Sequence, residues 1–170
     1  MRFKSESLAK RMLAGAAGGL LASYVMNQFQ ALWTAVESRV SEPEQPSAAG
    51  EDATVKTAEA ISCGGFDREL TPEEKKWAGP VVHYAFGTLM GALYGAASGS
   101  VPGASKGYGA VYGCAVWVGA DEIGVPALRL AQSPGNVPLG AHIREFAAHL
   151  VYGVTTGLAT RAILRTAPRL

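Results

Sequence analysis

The chain has 170 residues, a length typical of one domain. Its composition, with 48% hydrophobic residues, 17% charged residues and 21 glycines, excludes an intrinsically disordered chain. The formal net charge is only +1, whereas nucleic-acid-binding domains usually carry a concentrated basic face. We therefore expect no nucleic acid partner.

Four segments with few or no charged residues predict four membrane-spanning helices. The first, from Met12 to Val36, has 25 residues without Asp, Glu, Lys or Arg, and a helix needs about 20 residues to cross a bilayer. The second is uncharged from Ala78 to Ser105, which leaves it no charged face for water. We predict an all-α, polytopic membrane protein, a four-transmembrane-helix bundle in one membrane domain over residues 1–170, with spans at about 12–36, 78–101, 107–128 and 142–164.

The connection between the first two spans, residues 37–76, is acidic. It holds ten acidic and five basic residues, which gives it a net charge of −5. Within it, the spacing of Val55, Ala58 and Ile61 places three apolar side chains on one helix face. We therefore predict a short surface helix inside an acidic extracytoplasmic loop.

A capping-box pattern marks the start of the second helix. Thr71 is a favourable N-cap, Pro72 suits the first helical position, and Glu74 stands where its carboxylate can return a bond to the N-cap backbone. The helix is therefore predicted to begin outside the membrane, several residues before the uncharged run.

Basic residues near the span ends predict the orientation, because Lys and Arg in short flanks stay on the cytoplasmic side. The flank before the first span has four such residues, Arg2, Lys4, Lys10 and Arg11, and the flank after the last span has three, Arg161, Arg165 and Arg169. We predict a multi-pass protein of the bacterial inner membrane with both termini in the cytoplasm. The alternative at the N-terminus is a cleaved signal peptide, but the apolar run exceeds the usual hydrophobic region of such peptides.

Glycine recurs at every fourth position of the second span, at Gly87, Gly91, Gly95 and Gly99. The fourth span has the same spacing at Gly153 and Gly157. In a bilayer a glycine face lets another helix backbone approach closely, and packing replaces the hydrophobic effect. We predict that these glycines pack helices together; the alternative is that they line a cavity.

The second and fourth spans share the pattern H-x-x-aromatic-G-x-x-x-G, which begins at His83 and again at His149, 66 residues later. One span lies between them, so both helices would cross the membrane in the same direction. This predicts a duplicated helical hairpin of the kind found in parallel repeats of transporters. Chance similarity between glycine-rich spans is the alternative.

Several polar side chains fall at one predicted depth, near the outer face: Asn27, His83, Asp121, Glu122, Glu145 and His149. Ionisable groups inside spans are costly and usually find partners in the bundle, so we predict contacts between a histidine and a carboxylate of this set. Three interpretations are open: a tether between helices, a cluster that titrates when histidine is protonated, and a metal site. The chain has neither an H-E-x-x-H nor a paired E-x-x-H motif, so no metal ligand is predicted.

Motifs for catalysis are missing from the sequence: it has no G-x-S-x-G, no phosphate-binding loop and no dinucleotide fingerprint in strand-to-helix context. We predict no enzyme, no catalytic residue and no cofactor. The expected function is a structural, accessory or pH-responsive role in the envelope, and the alternative is a small transporter or channel with a polar site near the outer face. The expected partners are the lipid bilayer and either a second copy of the chain or another membrane protein.

The second half of the chain contains the stretches AGPVVHYAFGTLMGALYG, WVGADEIGVPAL and REFAAHLVYGVTTGLATRAI. From the second span onward, these stretches resemble the YagU-like family of small bacterial inner-membrane proteins, a domain-of-unknown-function family. The resemblance implies a polytopic inner-membrane protein. It assigns no activity, cofactor or functional residue.

Overall fold

The computed structural model describes residues 6–40 and 53–166. Within them the chain forms only helices and turns, so the all-α prediction is confirmed. The helices are α1 (Leu8–Val40), α2 (Ala53–Phe66), α3 (Pro72–Ser100), α4 (Ala110–Trp117), α5 (Val125–Ala127) and α6 (Leu139–Thr166), and a π-helical turn, Val118–Gly124, joins α4 to α5.

The helices cover each of the four predicted segments, and α2 forms where the apolar spacing indicates a surface helix. None of the described helices combines the length and the apolar character that a membrane crossing requires. Parts of three predicted features lie outside the described residues, namely Arg2 and Lys4 of the N-terminal flank, loop residues 41–52, and Arg169.

Helices α1 and α6 form the centre of the bundle, because α1 packs against α3 and α6 and α6 also packs against α4, while α2 packs against α3. The contact between α1 and α3 is made by backbone. A Cβ atom on Gly91 would lie 2.6 Å from Cα of Gly19, and one on Gly15 would lie 2.9 Å from Cα of Gly95. No side chain fits between these helices.

The rest of the glycine stripe of α3 continues the same contact. Gly87 faces the side chain of Ser23, and Gly99 faces the guanidinium of Arg11. The interface therefore extends over the stripe from Gly87 to Gly99.

A second glycine interface joins α4 to α6. A Cβ atom on Gly153 would lie 2.7 Å from Cα of Gly113, and Gly157 meets the backbone of Tyr108, two residues before α4. In both interfaces the helices are antiparallel, and the first segment of each pair has two glycines four residues apart: Gly15 and Gly19 in α1, and Gly109, just before α4, with Gly113 inside it. A duplicated hairpin predicts this arrangement.

Two tyrosines tie the pairs together. The hydroxyl of Tyr152 on α6 donates to the carbonyl oxygen of Gly87 at 2.6 Å, and the hydroxyl of Tyr112 on α4 donates to that of Met90 at 2.6 Å. Tyr152 also belongs to the core cluster with Ala22, Met26 and Ala148. Both interactions reach α3, so all the long helices share one interior.

The third predicted span, 107–128, is not one regular α-helix. The φ angles of Gly107, Tyr108 and Gly109 are 58°, 59° and 107°, so helix α4 begins only at Ala110. Arg161 of α6 stabilises this turn, because it lies 4.9 Å from the ring centroid of Tyr108 and donates to the carbonyl of residue 105 at 3.0 Å. Apolar composition predicted the segment but did not reveal the left-handed turn or the π-helical turn.

The predicted capping box at the start of α3 is confirmed. The backbone N–H of Glu74 donates to the hydroxyl of Thr71 at 3.3 Å, and a carboxylate oxygen of Glu74 accepts from the backbone N–H of Thr71 at 2.9 Å. Arg68 donates to the same carboxylate at 2.6 Å. These bonds stabilise the charged form and lower the pKa of Glu74 to about 2.

We expect Gly91→Leu to lower the free energy of unfolding by about 3 kcal/mol, the upper end of the usual cost of overpacking, because the larger side chain must separate two backbones. The measurement is the midpoint of thermal aggregation of the purified protein. Gly64→Leu is the matched control, since nothing lies within 4 Å of a Cβ on Gly64. Replacing glycine with leucine inside a helix also favours the helical conformation. An unchanged midpoint for Gly91→Leu would contradict the backbone contact.

The capping box has an expected pH dependence. The pKa of Glu74 is lower in the folded chain than its ordinary value of 4.5, so its charged form stabilises the start of α3 above about pH 4.5, and this contribution is lost as the pH falls toward about 2. Hydrogen-exchange protection in the first turn of α3 should fall over this range in the wild type.

In Glu74→Gln the same protection should be lower at neutral pH and should not change with pH. The control is Glu73→Gln, because the Glu73 carboxylate bonds to Lys76 and does not bond to the cap. If Glu73→Gln and Glu74→Gln have the same profile, the capping box is not the origin of the pH dependence.

Candidate polar and metal-binding site

The polar residues predicted from the sequence all line one cleft at the end of the bundle where α1 approaches its C-terminus and α3 and α6 begin. The cleft has a volume of about 1240 Å³. Its walls include Asn27, His83, Asp121, Glu122, Glu145 and His149, together with Gln30, Trp117 and His142. We call it the polar cleft.

The π-helical turn delivers two neighbouring carboxylates to the polar cleft. A π-helix forms i→i+5 hydrogen bonds, which widen the turn relative to an α-helix, and such turns are frequent at functional sites. Asp121 and Glu122 both lie in this turn and both line the cleft. They take different partners on α6.

Asp121 approaches His149, which is only 8% exposed. The Nδ1 atom of His149 lies 3.5 Å from Oδ2 of Asp121 and 2.9 Å from the backbone oxygen of Glu145. Because a carbonyl oxygen can only accept, Nδ1 carries the proton, and Nε2 is the lone-pair nitrogen of the neutral ring. One ligand atom from each of Asp121, Glu145 and His149 lies within 4.8 Å of the others; we call these three residues the Asp-Glu-His cluster.

The Glu145 carboxylate is held from two sides. Gln30 of α1 donates its side-chain N–H to Oε2 at 2.9 Å, and the adjacent Arg144 donates its Nε–H to Oε1 at 3.2 Å. Arg144 also lies 3.8 Å from the carboxylate of Glu37 near the end of α1. Residues of α1 therefore fix the position of a carboxylate on α6.

Glu122 pairs with His142, at 2.8 Å between Oε1 and Nδ1, and the second ring nitrogen of His142 lies 3.0 Å from the backbone oxygen of Pro134. His142 stands three residues before Glu145 on the same helix. The structure directs His142 toward the π-helical turn, so the two histidines of α6 serve two different carboxylates.

The other predicted residues lie in the opposite wall of the cleft. Asn27 donates to the hydroxyl of Tyr84 at 3.3 Å. His83 contacts the ring of Tyr84 edge to face, with 5.5 Å between centroids. These residues line the cleft without belonging to the Asp-Glu-His cluster.

Sequence reasoning did not select Gln30, His142 or Trp117 as site residues. Trp117 packs against Phe146 with 5.1 Å between ring centroids, and its indole Nε1 is buried with no hydrogen-bond partner among the residues that the structure describes. A polar residue late in the first span was the available signal for Gln30. Trp117 and His142 could not be selected in this way, because their place in the polar cleft depends on the register of the π-helical turn.

The arrangement can bind a cation or a proton, because two carboxylates and an imidazole offer acceptors that lie close together.

Comparison with known proteins identifies the chain at the level of a family. It matches, over residues 66–158, the family described as "Protein of unknown function (DUF1440)", and this segment includes the whole Asp-Glu-His cluster. No curated protein and no solved structure matches the chain. Since the match covers more than half of its 170 residues, the chain belongs to the DUF1440 family, a family of unknown function.

Proposed function

We propose that this protein is a non-catalytic, multi-pass protein of the bacterial inner membrane, with an accessory role that depends on the polar cleft. The observation that carries the proposal is an inverted distribution of side chains. Large apolar residues point outward: Leu13 is 72% exposed, Leu32 is 63% exposed and Leu89 is 56% exposed. Single exposed leucines are common on water-soluble domains, but extended exposed apolar surfaces are rare on them.

The interior of the bundle has the opposite character. Ser23, Thr156 and Thr160 are fully buried, and glycines form the helix contacts. Small and hydroxyl-bearing residues at helix interfaces are typical of bundles in lipid, where close packing replaces the hydrophobic effect. The inward-facing glycines and hydroxyls lower the mean hydropathy of each helix, but lipid would contact only the outward-facing side chains.

Outward-facing apolar residues follow the long helices over most of their length. On α1 and α3 they include Leu13, Leu20, Leu21, Leu32, Val36, Val81, Phe86, Leu89 and Leu93. Exposed apolar surface on this scale indicates contact with a membrane or with another protein. Helices of 33, 29 and 28 residues exceed the length of about 20 residues that spans a bilayer, and the resemblance to the YagU-like family favours the membrane.

The proposed orientation places both termini in the cytoplasm and the polar cleft toward the outside. The cleft lies at the end of the bundle where α1 ends, and the described basic residues of the two flanks, Lys10, Arg11, Arg161 and Arg165, lie toward the other end. Met26, Met90 and Tyr152 also line the cleft, and they pack in or against the core cluster. Large side chains packed in the core at this point favour a binding site that opens to one side over the alternative, a channel or transporter with a continuous polar path.

Arginine substitutions at two similarly exposed positions test whether the bundle lies in a bilayer. Leu89 is 56% exposed on α3 and Ile61 is 58% exposed on α2, but only Leu89 would face lipid. An arginine at the middle of a span costs about 2.5–3.5 kcal/mol on insertion scales, so Leu89→Arg should reduce the protein in the membrane fraction at least about tenfold. Ile61→Arg should accumulate like the wild type. Equal accumulation of the two variants would mean that both positions face water.

Reporter fusions test the orientation separately. Alkaline phosphatase fused after Gly65 should be active, because it would lie outside, and the same enzyme fused after Ser105 should be inactive. The fused protein should also remain in the pellet after alkaline carbonate extraction. Activity in the reverse order would overturn only the orientation, whereas release by carbonate would overturn the membrane location.

A further inference from the structure

We propose that the Asp-Glu-His cluster binds one divalent first-row transition-metal ion, such as Zn²⁺ or Mn²⁺. The proposal rests on the proposed function in that it assigns a ligand to the polar cleft. It requires that the three side chains can place their ligand atoms around one ion, that these atoms are suitable donors, and that space remains for a further ligand.

The geometry is close to that of a metal site. Ligand atoms around a tetrahedral ion with bonds of about 2.1 Å lie about 3.4 Å apart, and in the cluster the three ligand atoms lie within 4.8 Å of one another. Closing this difference requires rotations of the Asp121 and Glu145 side chains, which are about one-third exposed and therefore have room to move. The His149 atom near Asp121 is Nδ1, at 3.5 Å from Oδ2, so the Asp121 carboxylate must also turn toward the Nε2 side of the buried ring to share an ion with it.

The orientation of His149 matches that of a metal-binding histidine. Such a histidine usually donates its second ring N–H to a carbonyl or carboxylate, which fixes the ring and its tautomer. Here Nδ1 donates to the Glu145 carbonyl, which leaves the lone pair on Nε2. Imidazole with two carboxylates favours Zn²⁺, Mn²⁺ and related ions over Mg²⁺ and Ca²⁺, which prefer oxygen ligands alone.

Groups around the cluster act as a supporting shell. Carboxylates that bind metals are themselves hydrogen-bonded, and Gln30 holds Oε2 of Glu145 at 2.9 Å. The Arg144 side chain, which contacts Oε1, is 34% exposed and already approaches Glu37, so it can yield its place to an ion. The buried indole N–H of Trp117, which has no partner in the described part of the chain, lines the same cleft and can donate to a water or anion on the metal.

The neighbouring pair of Glu122 and His142 offers a matched control. It has the same two residue types, lines the same cleft and lies on the same two elements. It is not part of the group whose three ligand atoms converge. Binding by the Asp-Glu-His cluster therefore predicts that substitutions in the two sets differ in effect.

The experiment is isothermal titration of the full chain in detergent with ZnCl₂, MnCl₂ and MgCl₂, without a polyhistidine tag and with Cys63→Ser and Cys114→Ser to remove thiol ligands. We expect one Zn²⁺ or Mn²⁺ per chain and much weaker binding of Mg²⁺. Asp121→Asn, Glu145→Gln and His149→Gln should each weaken binding at least tenfold, and Gln30→Ala about tenfold. Glu122→Gln and His142→Gln should stay within twofold.

A second readout guards against variants that misfold. Zn²⁺ should raise the thermal midpoint of the wild type and of Glu122→Gln but not of Asp121→Asn, because only an ion that binds the folded state stabilises it. Absence of binding by folded wild type, or equal losses in the cluster and in the control pair, would overturn the metal site. Since binding is measured on purified protein, its failure leaves the membrane fractionation result unaffected.

Discussion

The close contact of helix backbones at glycine is the constraint on which the rest of the structure depends. Where Gly19 meets Gly91 and Gly113 meets Gly153, no side chain fits between the helices. Large apolar side chains must therefore point away from these interfaces, which accounts for the exposed leucines. The same approach brings the hydroxyl of Tyr152 to the carbonyl of Gly87, so the polar interior follows from the small residues at the contacts.

The glycine contacts also position the polar cleft. The backbone of Gly113 lies against the His149 carbonyl, which holds α4 to α6 at the level of the buried imidazole. Two turns later along the chain, the π-helical turn brings Asp121 within reach of that ring. A longer distance between α4 and α6 would separate the carboxylate from the histidine even if both helices were intact.

Features that depend on composition or on local pattern were accessible from the sequence. The uncharged runs marked the helices, Thr71 and Glu74 marked the start of α3, and the rarity of polar residues in these runs selected the ones that line the cleft. Which histidine each carboxylate contacts could not be read from the sequence, because Asp121 and Glu122 are neighbours and would diverge on an ordinary α-helix. The Asp-Glu-His cluster also has no local motif, since its carboxylates come from two elements that meet only through tertiary packing.

The two histidine-carboxylate contacts at this end of the bundle differ in their electrostatic balance. Glu122 and His142 form a partly exposed pair with one carboxylate for one ring. Water can therefore solvate any charge that remains on the pair. His149 is buried and has Asp121 and Glu145 beside it, while Arg144 meets only one oxygen of Glu145. Two carboxylates around one buried imidazole are unfavourable unless a positive charge, from a cation or from a proton on the ring, balances them. The glycine interfaces keep these groups together, and the polar cleft gives the proposed cation a route of entry.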